Sequence, residues 1–411
     1  MRKSADVVTH MQPSFDYSLL FPKMIEWEQF NNCRPTVPFD DNIISMLNAL
    51  SSRLLKDALC RSFTDIIAFA FFCRKANLLI LKQQYAQKDI IRIGRGTIFH
   101  IAPGNVPVNF GYSLVAGLLA GNNNIVRISN KPFPQVDLII KHLHSLAEYD
   151  EFKSALSRIV LVRYEHSSDA SSYFSSICNA RIIWGGDETI KRIRQNSIPS
   201  RAFDVCFADR YSFAIIKTET LHNATDSDYV RLAEHFYNDT FLFDQNACSA
   251  PHIIVWTQSN FNCDVRGKFW KALHDYAIKK YKFQPVMGID KLTAFFKQAT
   301  CMKIQLTPMP DNLIMRAELS DLPKGIENYR CACGYFSEYI VSSLCDIADI
   351  ITTKYQTMAY FGFSKEELNS FIENTHLKGI DRIVPIGCTT NFSLTWDGYN
   401  LIDTLSRIVT L

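Results

Sequence analysis

Between residues 90 and 184, short runs rich in β-branched residues alternate with stretches of helical spacing, and this alternation constrains the fold more than any other feature. Residues 90–93 and 97–101 are the first strand candidates. An apolar helix is predicted after Asn105-Val106-Pro107, running to Leu119 with Gly121 as its C-cap. Residues 125–128, 159–162 and 180–184 read as further strands, separated by helical stretches around 136–146 and 168–177. Parallel strands need a long crossover, which a helix supplies, so this order predicts βαβ units, a doubly wound sheet and an α/β fold class. Upstream, Pro13, Pro22, Pro35 and Pro38 make residues 1–40 irregular. Helical spacing begins with Asp41 as a cap ahead of Ile43, Ile44, Met46 and Leu47, and Ser51-Ser52 lead into a further helical stretch from Leu54. The second half is less regular, with strands expected at 213–216, 251–256 and 339–342 and helices near 229–237 and 267–278.

Composition excludes several classes. With 411 residues and 47% hydrophobic content, the chain can bury the cores of roughly two to three domains. Its 44 basic and 41 acidic residues nearly cancel, and no basic run is long enough to track a nucleic-acid backbone. Lys191-Arg192-Ile193-Arg194 reads as a solvated helix face, with a cofactor phosphate as the alternative. The apolar stretches 66–73 and 111–121 are too short to span a bilayer, and no apolar segment follows Arg2 and Lys3, so a cytoplasmic protein without a membrane span is expected. The twelve cysteines are scattered from Cys33 to Cys388 without a C-x-x-C pair. Cys331 and Cys333 lack the second pair that zinc needs, and His142 and His144 diverge on a helix, so no metal is expected. Most of the thiols read as buried and reduced.

Familiar nucleotide motifs fail. Gly94-Arg95-Gly96 is followed by Phe99 where a third glycine would stand and by strand residues where a helix would start, so it reads as a turn between strands. There is no Gly-Lys-Ser/Thr, no H-E-x-x-H and no G-x-S-x-G. Two loops remain. In Pro103-Gly104-Asn105-Val106-Pro107 two prolines fix the backbone around an amide at the end of a strand, which suits either a hydrogen bond into a ligand cleft or a loop-closing Asx-turn. In residues 243–251 Cys248 stands among small and polar residues just before an apolar strand, where nearby N–H groups can lower a thiol pKa; one more buried thiol is the alternative.

Together these stretches resemble the aldehyde dehydrogenase superfamily and, within it, the LuxC-type acyl-CoA reductases. PGNVP is similar to the superfamily's asparagine loop, AGNNNIVRISN (120–130) to its cofactor-ribose strand and NACSAP (246–251) to its cysteine loop. FADRYSFAII (207–216), DRIVPIG (381–387) and WDGYNLI (396–402) look characteristic of LuxC-type members. The resemblance implies an aldehyde dehydrogenase-like architecture: a Rossmann-type NADP-binding domain over 41–235, an α/β catalytic domain over 236–385 and a small oligomerisation element over 386–411.

The same resemblance implies Cys248 as nucleophile and Asn105 as side-chain donor of an oxyanion hole. Pro103, Gly104, Arg127, Ser129, Gly185, Gly186 and Phe336 fall at cofactor positions. Asn130 stands where many NAD-preferring members carry a glutamate; an arginine without that carboxylate favours a 2′-phosphate and therefore NADPH. Phe207 falls nearest the slot of the hydrolytic glutamate, and Gly334 where a ribose-binding glutamate is often found. The implied activity is NADPH-dependent reduction of an activated fatty acyl thioester, such as an acyl-CoA, to the aldehyde through an acyl-cysteine. An acyl-protein synthetase partner and a homo-oligomer are implied with it. The alternatives are an aldehyde dehydrogenase that oxidises aldehyde to acid, which Phe207 opposes, and a non-catalytic subunit of a biosynthetic complex, which would need neither Cys248 nor Asn105.

Overall fold

The computed structural model describes residues 15–87, 90–165, 167–257 and 264–411; Pro13 and Cys263 therefore lie outside the described residues. The chain divides into two compact units, one of Met1–Ala208 with Tyr399–Leu411 and the other of Asp209–Gly398.

The first unit opens with strand β1 (Ser18–Phe21) and helix α1 (Trp27–Asn31), then α2 (Asp41–Lys56), α3 (Thr64–Phe72) and α4 (Lys75–Gln84). It continues through β2 (Ile91–Gly94), β3 (Thr97–Ile101), α5 (Asn109–Leu119), β4 (Asn123–Arg127), α6 (Pro134–Leu146), α7 (Lys153–Leu156) and β5 (Ile159–Arg163). Helix α8 (Ala170–Ile177), β6 (Ala180–Trp184), α9 (Asp187–Arg194) and β7 (Phe203–Phe207) complete it, apart from the C-terminal return. Six strands form one sheet in the order β1-β5-β4-β3-β6-β7, parallel except for β1. The predicted βαβ alternation is therefore present. Strand β2 leaves this sheet and pairs antiparallel with Ser406–Val409.

Two local expectations change. Residues 15–40 are not wholly irregular: β1 finds its partner in β5, and Trp27 and Phe30 of α1 enter the core beside Phe99 and Phe174. The helix after Pro38 is capped by Asp40, whose carboxylate accepts from Asn42 N–H at 2.9 Å, and it runs unbroken through Ser51 and Ser52. Ser51 survives inside it because its hydroxyl donates to the Ala70 carbonyl of α3 at 2.6 Å.

A buried polar chain ties β3, β4, β6 and α5 together. Trp184 Nε1–H donates to Ser113 Oγ at 3.0 Å, and Ser113 Oγ lies 2.8 Å from His100 Nδ1. On its other side His100 Nε2 lies 3.0 Å from Asn124 Oδ1, while Asn124 Nδ2 donates to the Asn122 carbonyl at 2.9 Å. Since the Asn124 oxygen can only accept, His100 carries its proton on Nε2 and receives the Ser113 proton on Nδ1. Every member is satisfied, which is the condition for keeping such a chain inside a core.

The second unit holds β8 (Tyr211–Lys217), α10 (Asp226–Thr240), β9 (Pro251–Thr257), α11 (Val265–Lys280), α12 (Pro285–Ala299), β10 (Ile304–Thr307) and β11 (Met315–Leu319). Strand β12 (Tyr335–Val341), β13 (Tyr355–Phe361), α13 (Lys365–Thr375) and β14 (Arg382–Pro385) follow. Its seven-stranded sheet runs β10-β11-β12-β9-β8-β13-β14, parallel except for the edge pair β10–β11. Side chains alternate between faces as the pleat requires. Phe213, Ile215, Ile253 and Val255 fill one core, and Ala214, Ile216, Ile254 and Trp256 the other.

The division falls at Ala208 and Asp209, earlier than the 235/236 boundary suggested by sequence. Strand β8 pairs with β9 and β13, and α10 packs its Leu232 and Phe236 with Phe269 and Trp270 of α11, so both belong to the second unit. Of the proposed terminal segment 386–411, residues up to Gly398 also belong there. Among the described residues, no helix is long and apolar enough to cross a membrane.

Candidate active site

In the first unit, the chain progresses outward from β3 in both directions, through β4 and β5 on one side and β6 and β7 on the other. The two halves diverge between β3 and β6, and in open parallel sheets ligands bind beyond the carboxyl ends of strands at such a point. Ile101 is in register with Arg127 on one side and Ile183 on the other, so the loops carrying Pro103-Gly104-Asn105, Ser129 and Gly185-Gly186 leave neighbouring strand ends. Gly104 approaches Ser129 closely: a Cβ there would stand 3.2 Å from Ser129 Oγ. A Cβ on Gly186, which caps α9, would meet nothing within 4 Å, so the backbone there is open to a ligand. Gly185 N–H donates to the Phe207 carbonyl at 3.1 Å. These positions fit a dinucleotide, with small residues where a pyrophosphate would need close backbone approach.

Arg127 ends β4 and is buried at 6% exposure. Its guanidinium lies 5.1 Å above the Tyr164 ring and donates to the Tyr164 carbonyl at 3.4 Å, an anchor not foreseen from sequence. Burial pushes its pKa down, and the like charge of Arg192 on α9 adds to that effect. Asn105 is exposed on its loop. Phe207 is buried and stacks on Trp184 at 3.8 Å and 18°, so its position offers no base.

In the second unit, Cys248 lies half-buried in the turn leading into β9. The turn is built on two successive left-handed residues, Asp244 (φ 51°) and Gln245 (φ 59°), a costly conformation that needs external support. Gln245 supplies it. Its buried amide donates to the Pro251 and Tyr335 carbonyls at 2.9 and 3.0 Å and accepts from Gly334 N–H at 2.9 Å. Gly334 has φ +91°, and a Cβ there would stand 2.6 Å from the Leu313 carbonyl oxygen, so the backbone demands glycine at this position.

Cys248 is held at both ends. Its carbonyl accepts from Ser212 Oγ on β8 at 2.7 Å, and its Sγ accepts from Gln356 Nε2 on β13 at 3.4 Å. The same Gln356 nitrogen donates a very short hydrogen bond to Asp397 Oδ1. Asp397 Oδ2 lies 3.8 Å from Arg210, which also pairs closely with Asp381. Arg382 packs 4.3 Å over the Trp396 ring and donates to the Thr389 and Asn391 carbonyls, both at 3.0 Å. The Cys248 thiol is pushed up to about 11, by burial first and by the Asp397 charge second, against the Gln356 hydrogen bond and the charges of Arg210 and Arg382. The turn therefore does not depress the thiol pKa as its composition suggested, because desolvation outweighs the donors.

Phe336 is corrected as well. It is 0% exposed, with its ring 5.3 Å from Trp270 and 5.4 Å from Phe236, and leaves no face for a nicotinamide. Ser212, Gln356 and Asp397 were not foreseen, since each reaches the cysteine turn through the tertiary fold; Gln245 lies in the turn, but its bracing role depends on Pro251, Gly334 and Tyr335. Among the described residues, the ligand-type atoms of Asp57, Cys60 and His142 lie within 4.8 Å of one another, but Asp57 already accepts from His142 at 3.0 Å and from Lys141 at 3.4 Å. His144 instead meets the Leu20 carbonyl at 2.9 Å.

Residues 43–282 match the acyl-CoA reductase (LuxC) family. The long-chain acyl-protein thioester reductase of Vibrio harveyi is 24% identical over 306 residues, covering 72% of this chain and 60% of that protein. The long-chain acyl-protein thioester reductase 2 of Photobacterium leiognathi is 27% identical over 165 residues, covering 39% and 32% respectively. Less than two thirds of either relative is thus matched. Among solved structures, aldehyde dehydrogenase 21 from Physcomitrella patens superposes with a TM-score of 0.63 at 10% identity, covering 90% of this chain and 85% of that one. The 1-pyrroline-5-carboxylate dehydrogenase of Thermus thermophilus gives 0.61 at 11% identity, covering 93% and 82%. The fold is that of the aldehyde dehydrogenases.

Proposed function

Because the chain belongs to the LuxC acyl-CoA reductase family, we propose that it reduces an activated fatty acyl thioester to the aldehyde, with Cys248 as the acyl carrier. The observation that carries this reading is the support around Cys248: Ser212 on its carbonyl, Gln356 on its sulfur and Gln245 bracing its turn.

In this reading the Cys248 sulfur loses its proton and forms a bond to the acyl carbon, the bond from that carbon to the donor's sulfur breaks, and the proton leaves with the departing thiol. Asn105 and the Cys248 backbone N–H are the assigned donors to the developing oxyanion; one such donor is worth about 3 to 4 kcal/mol in the transition state. Bound NADPH supplies a hydride. With that hydride on the acyl carbon, the Cys248 thiohemiacetal would collapse, its carbon–sulfur bond breaking to release aldehyde while a proton from solvent restores the thiol. Phe207, stacked on Trp184, has no group that could activate a water, which favours reduction over oxidation to acid.

The first unit is assigned to the cofactor, through Pro103, Gly104, Arg127, Ser129, Gly185 and Gly186, and the second to the nucleophile. NADPH is preferred because Asn130 follows Ser129 where a carboxylate would repel a 2′-phosphate, and because Arg192 adds positive potential to Arg127. A homo-oligomer paired through 386–411 and a cytoplasmic location belong to the same reading.

The test is intact-protein mass after mixing with acyl-CoAs of graded chain length, without NADPH. A stable acyl adduct that is absent in Cys248→Ala and discharged as aldehyde by NADPH is the expected result; no adduct from any acyl thioester would overturn it. The relatives act on acyl-protein thioesters, as their names state, so an acylated protein, supplied by a synthetase partner, is the second donor to try.

A further inference from the structure

Cys248 Sγ and Asp397 share one donor. Gln356 Nε2 lies 3.4 Å from the sulfur and also hydrogen-bonds Asp397 Oδ1, and Gln356 is wholly buried. An amide side chain can present either its NH2, with two hydrogens to give, or its oxygen, which can only accept. An ionised carboxylate accepts only, so Asp397 admits the NH2 end and turns the oxygen away, towards Thr357 Oγ1 at 3.3 Å. The second N–H then has one direction left, towards the sulfur. Asp397 is itself fixed, at φ 48° and 8% exposure, with Arg210 beside its other oxygen.

We propose that Gln356 is a catalytic residue that donates a hydrogen bond to the Cys248 sulfur when it is a thiolate, and that Asp397 is a positioning residue that selects the donating end of the amide. A flipped amide would point its oxygen at the sulfur and favour the protonated thiol, the form that does not attack. The charged groups acting on the sulfur are Asp397 against the thiolate, and Arg210 and Arg382 in its favour. The donated hydrogen bond offsets the cost of keeping the Asp397 carboxylate nearby. The inference rests on Cys248 as the nucleophile of the proposed reaction, yet it can be tested without any acyl donor.

The experiment follows iodoacetamide alkylation of Cys248 against pH, read by mass of the peptide that carries it, in full-length protein with thermal unfolding as a control. Gln356→Met keeps the length and removes both donors; alkylation at pH 8 is expected to slow about tenfold, the effect of a one-unit rise in thiol pKa. Asp397→Asn suits the left-handed backbone and leaves the amide free to turn either way. It also removes a negative charge, which by itself speeds alkylation. The informative quantity is therefore the difference between its effect in the wild type and in the Gln356→Met background. If Asp397 sets the amide, the acceleration is at least threefold smaller with Gln356 present. A Gln356→Met protein that unfolds cooperatively and alkylates within twofold of wild type at every pH overturns the role of Gln356. Equal effects of Asp397→Asn in both backgrounds overturn that of Asp397. Should Gln356→Met not fold, Gln356→Glu serves in its place: its added carboxylate must slow alkylation, and an unchanged profile overturns the proposal. Shifted alkylation without acyl labelling by any thioester would support this inference while removing the proposed function.

Discussion

Ser212 Oγ donates to the Cys248 carbonyl at 2.7 Å and accepts from Thr357 N–H at 3.1 Å, so a single hydroxyl joins the cysteine turn to strands β8 and β13. Ser212→Ala leaves the half-buried Cys248 carbonyl and the buried Thr357 N–H without this partner. The expected cost is about 1 to 3 kcal/mol, read from denaturant unfolding. Single-turnover acylation of Cys248 should also slow, because the turn loses its tie to the sheet. An unchanged midpoint and rate would show that the contact does not support the turn.

The resting thiol at Cys248 is held in its neutral form. With its pKa pushed up to about 11, only about one molecule in ten thousand is a thiolate at pH 7. Its alkylation should accelerate roughly tenfold per pH unit from 7 to 10. A plateau below pH 9 would mean that the donors outweigh burial in the resting protein.

His100 couples the first unit to acid. Burial pushes its pKa down to about 4 from the usual 6.5, against the Asn124 hydrogen bond, which by itself favours the charged form. Above the unfolded value both states are neutral and the stability is complete. Between about 6.5 and 4 only the unfolded chain takes the proton, so stability falls by about 1.4 kcal/mol per pH unit. His100→Leu should be less stable at pH 7, since it strands Ser113 and Asn124, and should show a shallower loss from pH 6.5 to 4 in thermal melts. Parallel pH profiles for the two proteins would contradict this assignment.

Cofactor choice is assigned to Arg127. Arg127→Ala should raise KM for NADPH by about tenfold, the loss of one charge-assisted hydrogen bond, while leaving KM for NADH within twofold. An equal loss for both would place Arg127 in support of the Tyr164 loop and remove it from phosphate recognition.

The order of strands and helices from β2 to β6 was legible because period, β-branching and turn residues are local quantities. The cysteine turn and the Pro103–Pro107 loop beyond β3 could be picked out for the same reason, since loops with fixed or permissive backbones announce themselves in composition; Gly185 and Gly186 beyond β6 were implied only by the family resemblance. The resemblance places Phe336 near a nicotinamide, but a motif match does not say which way a ring faces, and here it packs into the core with Phe236 and Trp270. Strand β1 was missed because its partner β5 lies far along the chain.

By itself, then, the sequence determined an α/β chain with a nucleophile candidate in a turn of small residues and a family resemblance around it. Tertiary structure alone decided where the units divide, which side chains brace that turn, and how hard it is to ionise the thiol. Gln356 stands 108 positions from Cys248 and reaches its sulfur only because β13 pairs with β8 beside β9. Strand pairing and desolvation are set by partners distant in sequence, and no local pattern of residues carries that information.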